Sequence, residues 1–365
     1  MKIFNLKIIT INLLIFSFFI LICEIILGKW TKNFANRKNY TPIIGLVRDK
    51  EIIYKNFDDN SKNKILFSRY YRDAYGYRSR SSDINKKIIL TIGASTTDQV
   101  HTTEGKTWHD ILDDLNNDYD FINGGITGHT SYTHLNSIDK WHSKIPNKDS
   151  VKLIIFYTGP TDRKLMNNDY LKLNNKGEFS VYGFSYHYLK QFLKDNSFFI
   201  EKFLFMKNNL VAKNKKISIS LSNSGKKYSL NSNLNDPGYI KYQKLILTLI
   251  EKTKSVFPSA RILFIQEEIP ACKFINENEV INLGIRGYDD GCLELLKVYK
   301  LQNILIETKD LNIDLVPMYL KSIIGLDGVY DDAHSNNKGS QRIAEFINTV
   351  LLEKKLIKEP KTFKN

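Results

Sequence analysis

Three residue types at telling positions could together cleave an ester. Ser95 ends the run Ile88-Ile89-Leu90-Thr91-Ile92-Gly93-Ala94-Ser95, where an apolar stretch stops in small residues. A buried strand delivers that serine to the edge of a sheet, and the small residues before it permit a sharp turn and a close substrate approach. Asp331 and His334 stand three apart in Val329-Tyr330-Asp331-Asp332-Ala333-His334-Ser335-Asn336. On a tight loop this spacing lets a carboxylate hold one ring nitrogen while the other faces outward. A serine nucleophile needs such an oriented base. The plainer reading has Asp331 or Asp332 capping the last helix and His334 on the surface.

The elements that must position these residues alternate. Strands are expected at 88–92, 119–124, 152–157, 260–266 and 313–317, with helices between them. Thr107-Trp108-His109-Asp110 has capping-box spacing ahead of Trp108, Ile111, Leu112 and Leu115 on one face. Tyr132, Leu135, Ile138 and Trp141 share another face, as do Tyr239, Tyr242, Leu245, Ile246, Leu249 and Ile250 after the Asp236-Pro237 start. A helix is expected over roughly 292–310 and a last one over 335–352. Five short strands alternating with helices predict an α/β fold with a doubly wound parallel sheet. In such a sheet ligands sit beyond the carboxyl ends of the strands. Ser95, Gly128 and Thr161 each follow a predicted strand and so share one edge.

In this setting the chain resembles the SGNH hydrolases, the GDSL-like esterases and lipases, over about residues 85–352. Gly93-Ala94-Ser95-Thr96-Thr97 matches the family's first block, whose serine is the nucleophile. Asn123 to Ser131 resembles the second block, and Gly128 matches the glycine that gives a backbone N–H to the oxyanion. Gly159-Pro160-Thr161-Asp162 resembles the third, and Asp331-x-x-His334 the last. The resemblance implies a flavodoxin-like sheet, a Ser95–His334–Asp331 triad and an oxyanion hole from Ser95, Gly128 and Thr161, with no metal and no cofactor. The family's third block carries Asn where this chain has Thr161. A threonine hydroxyl is shorter than an amide, so Thr161, a shifted backbone, Arg163 or another donor fills the place, or activity is weak.

Ile8 to Leu27 is almost wholly apolar. Twenty residues at helical rise cover about 30 Å, the thickness of a bilayer core. No small-x-small cleavage site follows, and Ile22 before Cys23 is too large for a lipoprotein site, so an uncleaved signal anchor is expected. Trp30 suits the interface. Glu24 is expected at the interface or protonated, the alternative being a packing role. Lys29, Lys32, Arg37 and Lys38 outnumber the positive charges before the span, but long domains translocate largely regardless of charge. The domain is expected outside the cytoplasm.

The expected organisation is a membrane anchor at 8–27, a juxtamembrane region at 28–84 and a hydrolase-like domain at 85–352. Insertions fall at about 164–235 and 267–291. The patch Tyr70 to Arg78 is expected to pack beside the first strand rather than to bind sugar. The aromatic segment Ser197 to Met206 is expected to pack on the core rather than act as a lid or touch the bilayer. Residues 213–235 and 267–291 are read as loops. Lys and Arg outnumber Asp and Glu by 53 to 39. This excess is compatible with a basic soluble surface or with attraction to an anionic polymer or membrane. No zinc-finger spacing or RNA-binding signature points to nucleic acid. His101, His109, His129, His134, His142 and His187 are scattered. The His109–Asp113 pair is read as surface, and His129 as a possible neighbour of the site. Cys272 and Cys292 are expected to form a bridge if the domain lies outside the cytoplasm.

The arrangement of anchor, Gly-Tyr-Arg patch and serine block resembles a bacterial subgroup associated with cell-surface glycans. The expected activity is therefore hydrolysis of an O-acyl ester, and the resemblance to that subgroup implies an O-acetylated polysaccharide as its carrier. Acyl transfer by the same triad, and glycan binding by a weak or inactive member, are the alternatives.

Overall fold

The computed structural model describes residues 2–28, 30, 50–57, 65–73, 75–78, 86–166, 171, 179, 193, 196–200, 202, 203, 206, 225–230, 237–283, 291–309, 311–331 and 333–358. The chain divides into two compact units. One comprises 1–48 and 182–216; the other comprises 49–181 and 217–365.

The larger unit is built on five parallel strands: β3 (Lys87–Gly93), β4 (Tyr119–Asn123), β5 (Val151–Thr158), β7 (Arg261–Gln266) and β10 (Asp314–Val316). Their order across the sheet is β10-β7-β5-β3-β4. The first strand in sequence lies between the second and third, so the winding reverses between β3 and β5. In doubly wound sheets that reversal opens a crevice at the carboxyl edge. All five strands fall where the apolar runs predict them. Runs with both faces apolar belong in a sheet covered on both sides.

Helices supply both covers. Trp108 and Leu112 of α3 (Trp108–Leu115) join Ile343, Ile347 and Leu351 of α7 (Asn337–Glu353) in one cluster with Ile89, Phe121, Leu153 and Ile155 of the sheet. The other cover is α4 (Ser131–Lys140), α5 (Pro237–Val256) and α6 (Gly291–Thr308), packed on one another. Thr107 and Asp110 close the expected capping box at the start of α3.

Several expectations are corrected. The region read as juxtamembrane contains an antiparallel hairpin of β1 (Lys50–Phe57) and β2 (Ile65–Arg72), and the compact unit that holds the sheet begins at Asp49. Tyr70, Arg72, Tyr77 and Arg78 are buried, as the packing reading predicts, while Tyr71 and Tyr75 are exposed. The loop expected over 267–291 contains β8 (Cys272–Asn276) and β9 (Glu279–Asn282). With β6 (Lys227–Ser229), from the expected 213–235 loop, they form a small antiparallel sheet. Short strands with polar outer faces carry little hydrophobic periodicity, which is why they read as loop. A Cys272–Cys292 disulfide, with Cα atoms 5.6 Å apart, joins the start of β8 to the start of α6. Asp236, the expected cap of α5, lies outside the described residues. His109 is not on the surface. It is buried with its ring stacked on Trp108, and Asp113 accepts the Phe121 N–H at 2.7 Å.

In the smaller unit α1 (Lys2–Leu27) is the one described helix with a stretch, Lys7–Leu27, long and apolar enough to cross a membrane. The aromatic segment is helical at 198–200, 202, 203 and 206. It does not bury its apolar side chains as expected: Phe203 and Met206 are 66% and 62% exposed.

Candidate active site

Ser95 opens α2 (Ser95–Asp98), a single turn that starts where β3 ends. Two contacts require glycine here. A Cβ on Gly93 would lie 2.7 Å from the Tyr157 carbonyl oxygen, and one on Gly125 would lie 2.4 Å from the Asp98 nitrogen. As the first residue of a helical turn, Ser95 has an N–H with no helical partner, the kind of donor an oxyanion needs.

His334 Nε2 lies 2.8 Å from Ser95 Oγ. Its Nδ1 lies 2.8 Å from Asp331 Oδ2 and 3.0 Å from Oδ1. The loop between them is tight. Asp331 Oδ1 accepts the Ala333 and His334 N–H groups at 2.9 and 2.8 Å, and Tyr330 N–H donates to the His334 carbonyl at 2.7 Å. Burial pushes the Asp331 carboxyl up. The hydrogen bonds from the His334 ring and from these two N–H groups outweigh it and hold the carboxyl at about 2. An ionised Asp331 accepts a proton-bearing Nδ1, which leaves Nε2 as the acceptor facing Ser95. Asp331 does not cap the last helix. Asn336 does, accepting from the Lys338 and Gly339 N–H groups.

The glycine loop after β4 is tied to the carboxyl edge of β3: Gly124 N–H donates to Thr91 O and Ile126 N–H to Gly93 O, at 2.8 and 3.0 Å. Gly128 is exposed on that loop with φ +82°, and a Cβ there would meet nothing within 4 Å. Glycine is needed at 128 for its left-handed backbone, and the space before it is open. Thr161 is half-buried in the turn after β5, just before the short helix Asp162–Met166. The predicted site residues therefore all stand at one edge of the sheet, and His334 is in direct contact with both Ser95 and Asp331.

Residues beyond the predicted set hold this arrangement. Asp162 is buried. It accepts from Ser131 N–H at 2.7 Å, from Ser131 Oγ at 2.5 Å and from Tyr242 Oη at 2.9 Å. It thus joins the Thr161 turn to the helix that begins just after Gly128. Gln99 caps α2 and donates to Ser335 and Ser340 Oγ at 2.9 and 2.6 Å, linking the serine turn to the histidine loop. Asp98, three residues after Ser95, is paired with buried Arg72 at 2.6 Å and accepts from Tyr70 Oη and Thr127 Oγ1, each at 2.9 Å. Arg72 also donates to Gly125 O at 2.8 Å, and Arg78 to Asp98 O at 2.6 Å. One ion pair therefore grips both the serine turn and the glycine loop. Nothing in the sequence marks His101 as a neighbour of His334. Its ring lies 6.1 Å from that of His334, and burial, then the neighbouring His334, lowers its pKa. His129, half-buried beside Gly128, has its ring 5.6 Å from that of His134.

Two predictions arise from this geometry. If the Thr161 hydroxyl donates to the oxyanion, Thr161→Val lowers turnover by roughly 10-fold or more with little change in binding. An unchanged kcat moves the donor elsewhere, with Arg163 next in line. The second concerns Glu267, which is buried against the serine turn and accepts Thr96 Oγ1 at 2.9 Å. Burial pushes its carboxyl well above the ordinary value, against the lowering effect of that hydrogen bond. The folded chain keeps this proton while the unfolded chain loses it near the ordinary value. The stabilising contribution is therefore full below that value and fades as pH rises. Glu267→Gln removes the dependence, so its thermal midpoint gains on the natural protein between pH 5 and pH 8. An equal difference at both pH values counts against a protonated Glu267.

Among the described residues no group of three or more His, Cys, Asp or Glu side chains is arranged to hold a metal. No protein-family model matches the sequence, and no curated protein does. Among solved structures, the chain is similar to a member of the lipolytic protein G-D-S-L family from Veillonella parvula, at 13% identity over 72% of this chain and 97% of that one, TM-score 0.39. It is similar to the psychrotrophic esterase EstA from Pseudoalteromonas sp., at 13% identity over 74% and 99%, TM-score 0.41. It is also similar to TesA, at 13% identity over 73% and 98%, TM-score 0.40.

Proposed function

We propose that this chain is a serine esterase of the SGNH type that hydrolyses an O-acyl ester, held at a membrane by its N-terminal helix. The observation that carries the reading is the unbroken hydrogen-bonded line Ser95–His334–Asp331, with 2.8 Å at each link. Ser95 Oγ attacks the ester carbonyl as His334 Nε2 takes its proton. The Ser95 and Gly128 N–H groups, with Thr161, receive the oxyanion. Collapse expels the alcohol, which takes the proton from His334, and leaves an acyl group on Ser95. Water, deprotonated by His334, then attacks the acyl carbon and frees the acid and Ser95.

The substrate class proposed is an acylated cell-surface glycan. Its support is the order of anchor, Gly-Tyr-Arg segment and serine block. An extracytoplasmic domain is supported by the Cys272–Cys292 bridge, since disulfides persist in oxidising compartments. The test is labelling of the full chain by a fluorophosphonate probe. Labelling that disappears in Ser95→Ala supports the esterase. Folded protein that takes no label favours a glycan-binding role without catalysis.

A further inference from the structure

Phe203 and Met206 are the most exposed large apolar side chains among the described residues outside α1, and Phe199 is 41% exposed. Positions 199, 203 and 206 fall within about 60° of one another around a helix, so the three form one stripe. A lone exposed aromatic is ordinary in a protein surface; a stripe of this kind marks a contact surface.

The smaller unit fixes where the stripe begins. Glu24 lies one turn from the carboxyl end of the Lys7–Leu27 stretch. Its carboxylate accepts Ser197 Oγ at 2.5 Å, the Phe198 and Phe199 N–H groups at 3.1 Å each, and Trp30 Nε1 at 3.0 Å. A carboxylate near the end of an apolar span is costly unless its oxygens are satisfied, and here four donors satisfy them. Three of the four come from the start of the 197–206 segment. At 1.5 Å rise per residue, the first turn of that segment is pinned within about 5 Å of the end of the span. The fourth donor is an indole, a group that favours the membrane–water boundary. Lys202 Nζ lies 5.7 Å from the Phe198 ring centroid, which sets a cation beside an aromatic face on the same segment.

We infer that residues 197–200, 202, 203 and 206 form a second membrane contact that lies along the bilayer boundary, with Phe199, Phe203 and Met206 among the lipid chains and Glu24 setting their depth. This rests on the membrane-spanning reading of α1 proposed above. The occupant is the bilayer because the stripe starts at the end of an apolar span and has the aromatic and basic make-up of an interfacial helix.

The experiment uses the full chain in phosphatidylcholine–phosphatidylglycerol vesicles. With Cys23→Ser as background and the Cys272–Cys292 bridge intact, a bimane label is placed by Phe203→Cys, Met206→Cys, Leu14→Cys or Ile275→Cys. The expected result is blue-shifted emission at 203 and 206, quenched by lipids carrying a nitroxide near the glycerol level and shielded from iodide. Position 14 is quenched by nitroxide deep in the chains, and exposed Ile275 by iodide. Adding Glu24→Ala returns the 203 label to iodide; continued lipid quenching there removes Glu24 as the depth setter. Iodide access at 203 and 206 with position 14 still in lipid overturns the second contact alone. No lipid quenching at position 14 overturns the anchor and the second contact with it.

Discussion

Ser95→Ala and His334→Ala are each expected to lower hydrolysis of p-nitrophenyl acetate by roughly 10,000-fold or more, because nucleophile and base act as one unit. The double variant is expected to lose hardly more than either single one. The folded state should be unaffected by Ser95→Ala, whose hydroxyl meets His334 and lies outside the packed core. Asp331→Asn should cost roughly 1,000-fold or more. An amide cannot reproduce the ionised acceptor that holds Nδ1–H, and the ring then loses the tautomer that faces Ser95. Steady-state rates on folded protein, verified by matching thermal melts, decide this. Near-normal turnover in Ser95→Ala removes the proposed mechanism.

Asp98→Ala should be the most damaging substitution for stability among the residues around the site. It strands the Arg72 guanidinium, only 2% accessible, opposite an apolar methyl. Breaking a buried pair in this way costs about 3–5 kcal/mol, because the remaining charge is left unpaired. The Thr127 and Tyr70 hydroxyls lose their acceptor at the same time. Arg72→Met alone strands the carboxylate instead. The double variant Arg72→Met/Asp98→Asn should recover part of the loss, and the recovered amount measures the coupling. Urea unfolding of the four proteins provides the test. A loss under about 1 kcal/mol for Asp98→Ala shows that the pair does not hold the two loops.

The parts of the fold legible in the sequence are those governed by local pattern. Ile88 to Gly93 and Leu153 to Tyr157 are largely apolar on both faces, and a covered parallel strand fits such runs. Ser95, Gly128 and Thr161 are legible at one edge because each follows a predicted strand, and parallel winding does the rest. Arg72 and Asp98 were illegible as partners. They are 26 residues apart, and while the aromatic patch around Arg72 reads as packed, nothing local says which carboxylate its guanidinium meets. His109 misled for the same reason: its helix turns one face to the sheet, but the depth of that face depends on α7, over two hundred residues later. Met206 and Phe203 misled in the opposite direction, since an aromatic stripe reads as core until something shows what it faces.

The Arg72–Asp98 pair also sets how the protein can be shortened. A chain cut to begin at residue 85 keeps all five parallel strands and every residue of the proposed triad, yet it discards Arg72 and Arg78. Asp98 would then sit beneath the serine turn with its guanidinium partner gone, and the Gly125 carbonyl would lose its donor. A chain beginning at Asp49 retains the whole unit. The stretch that reads as a linker ahead of residue 85 is, from Tyr70 to Arg78, a wedge packed under the Ser95 turn. Pieces made for crystals or assays must carry it.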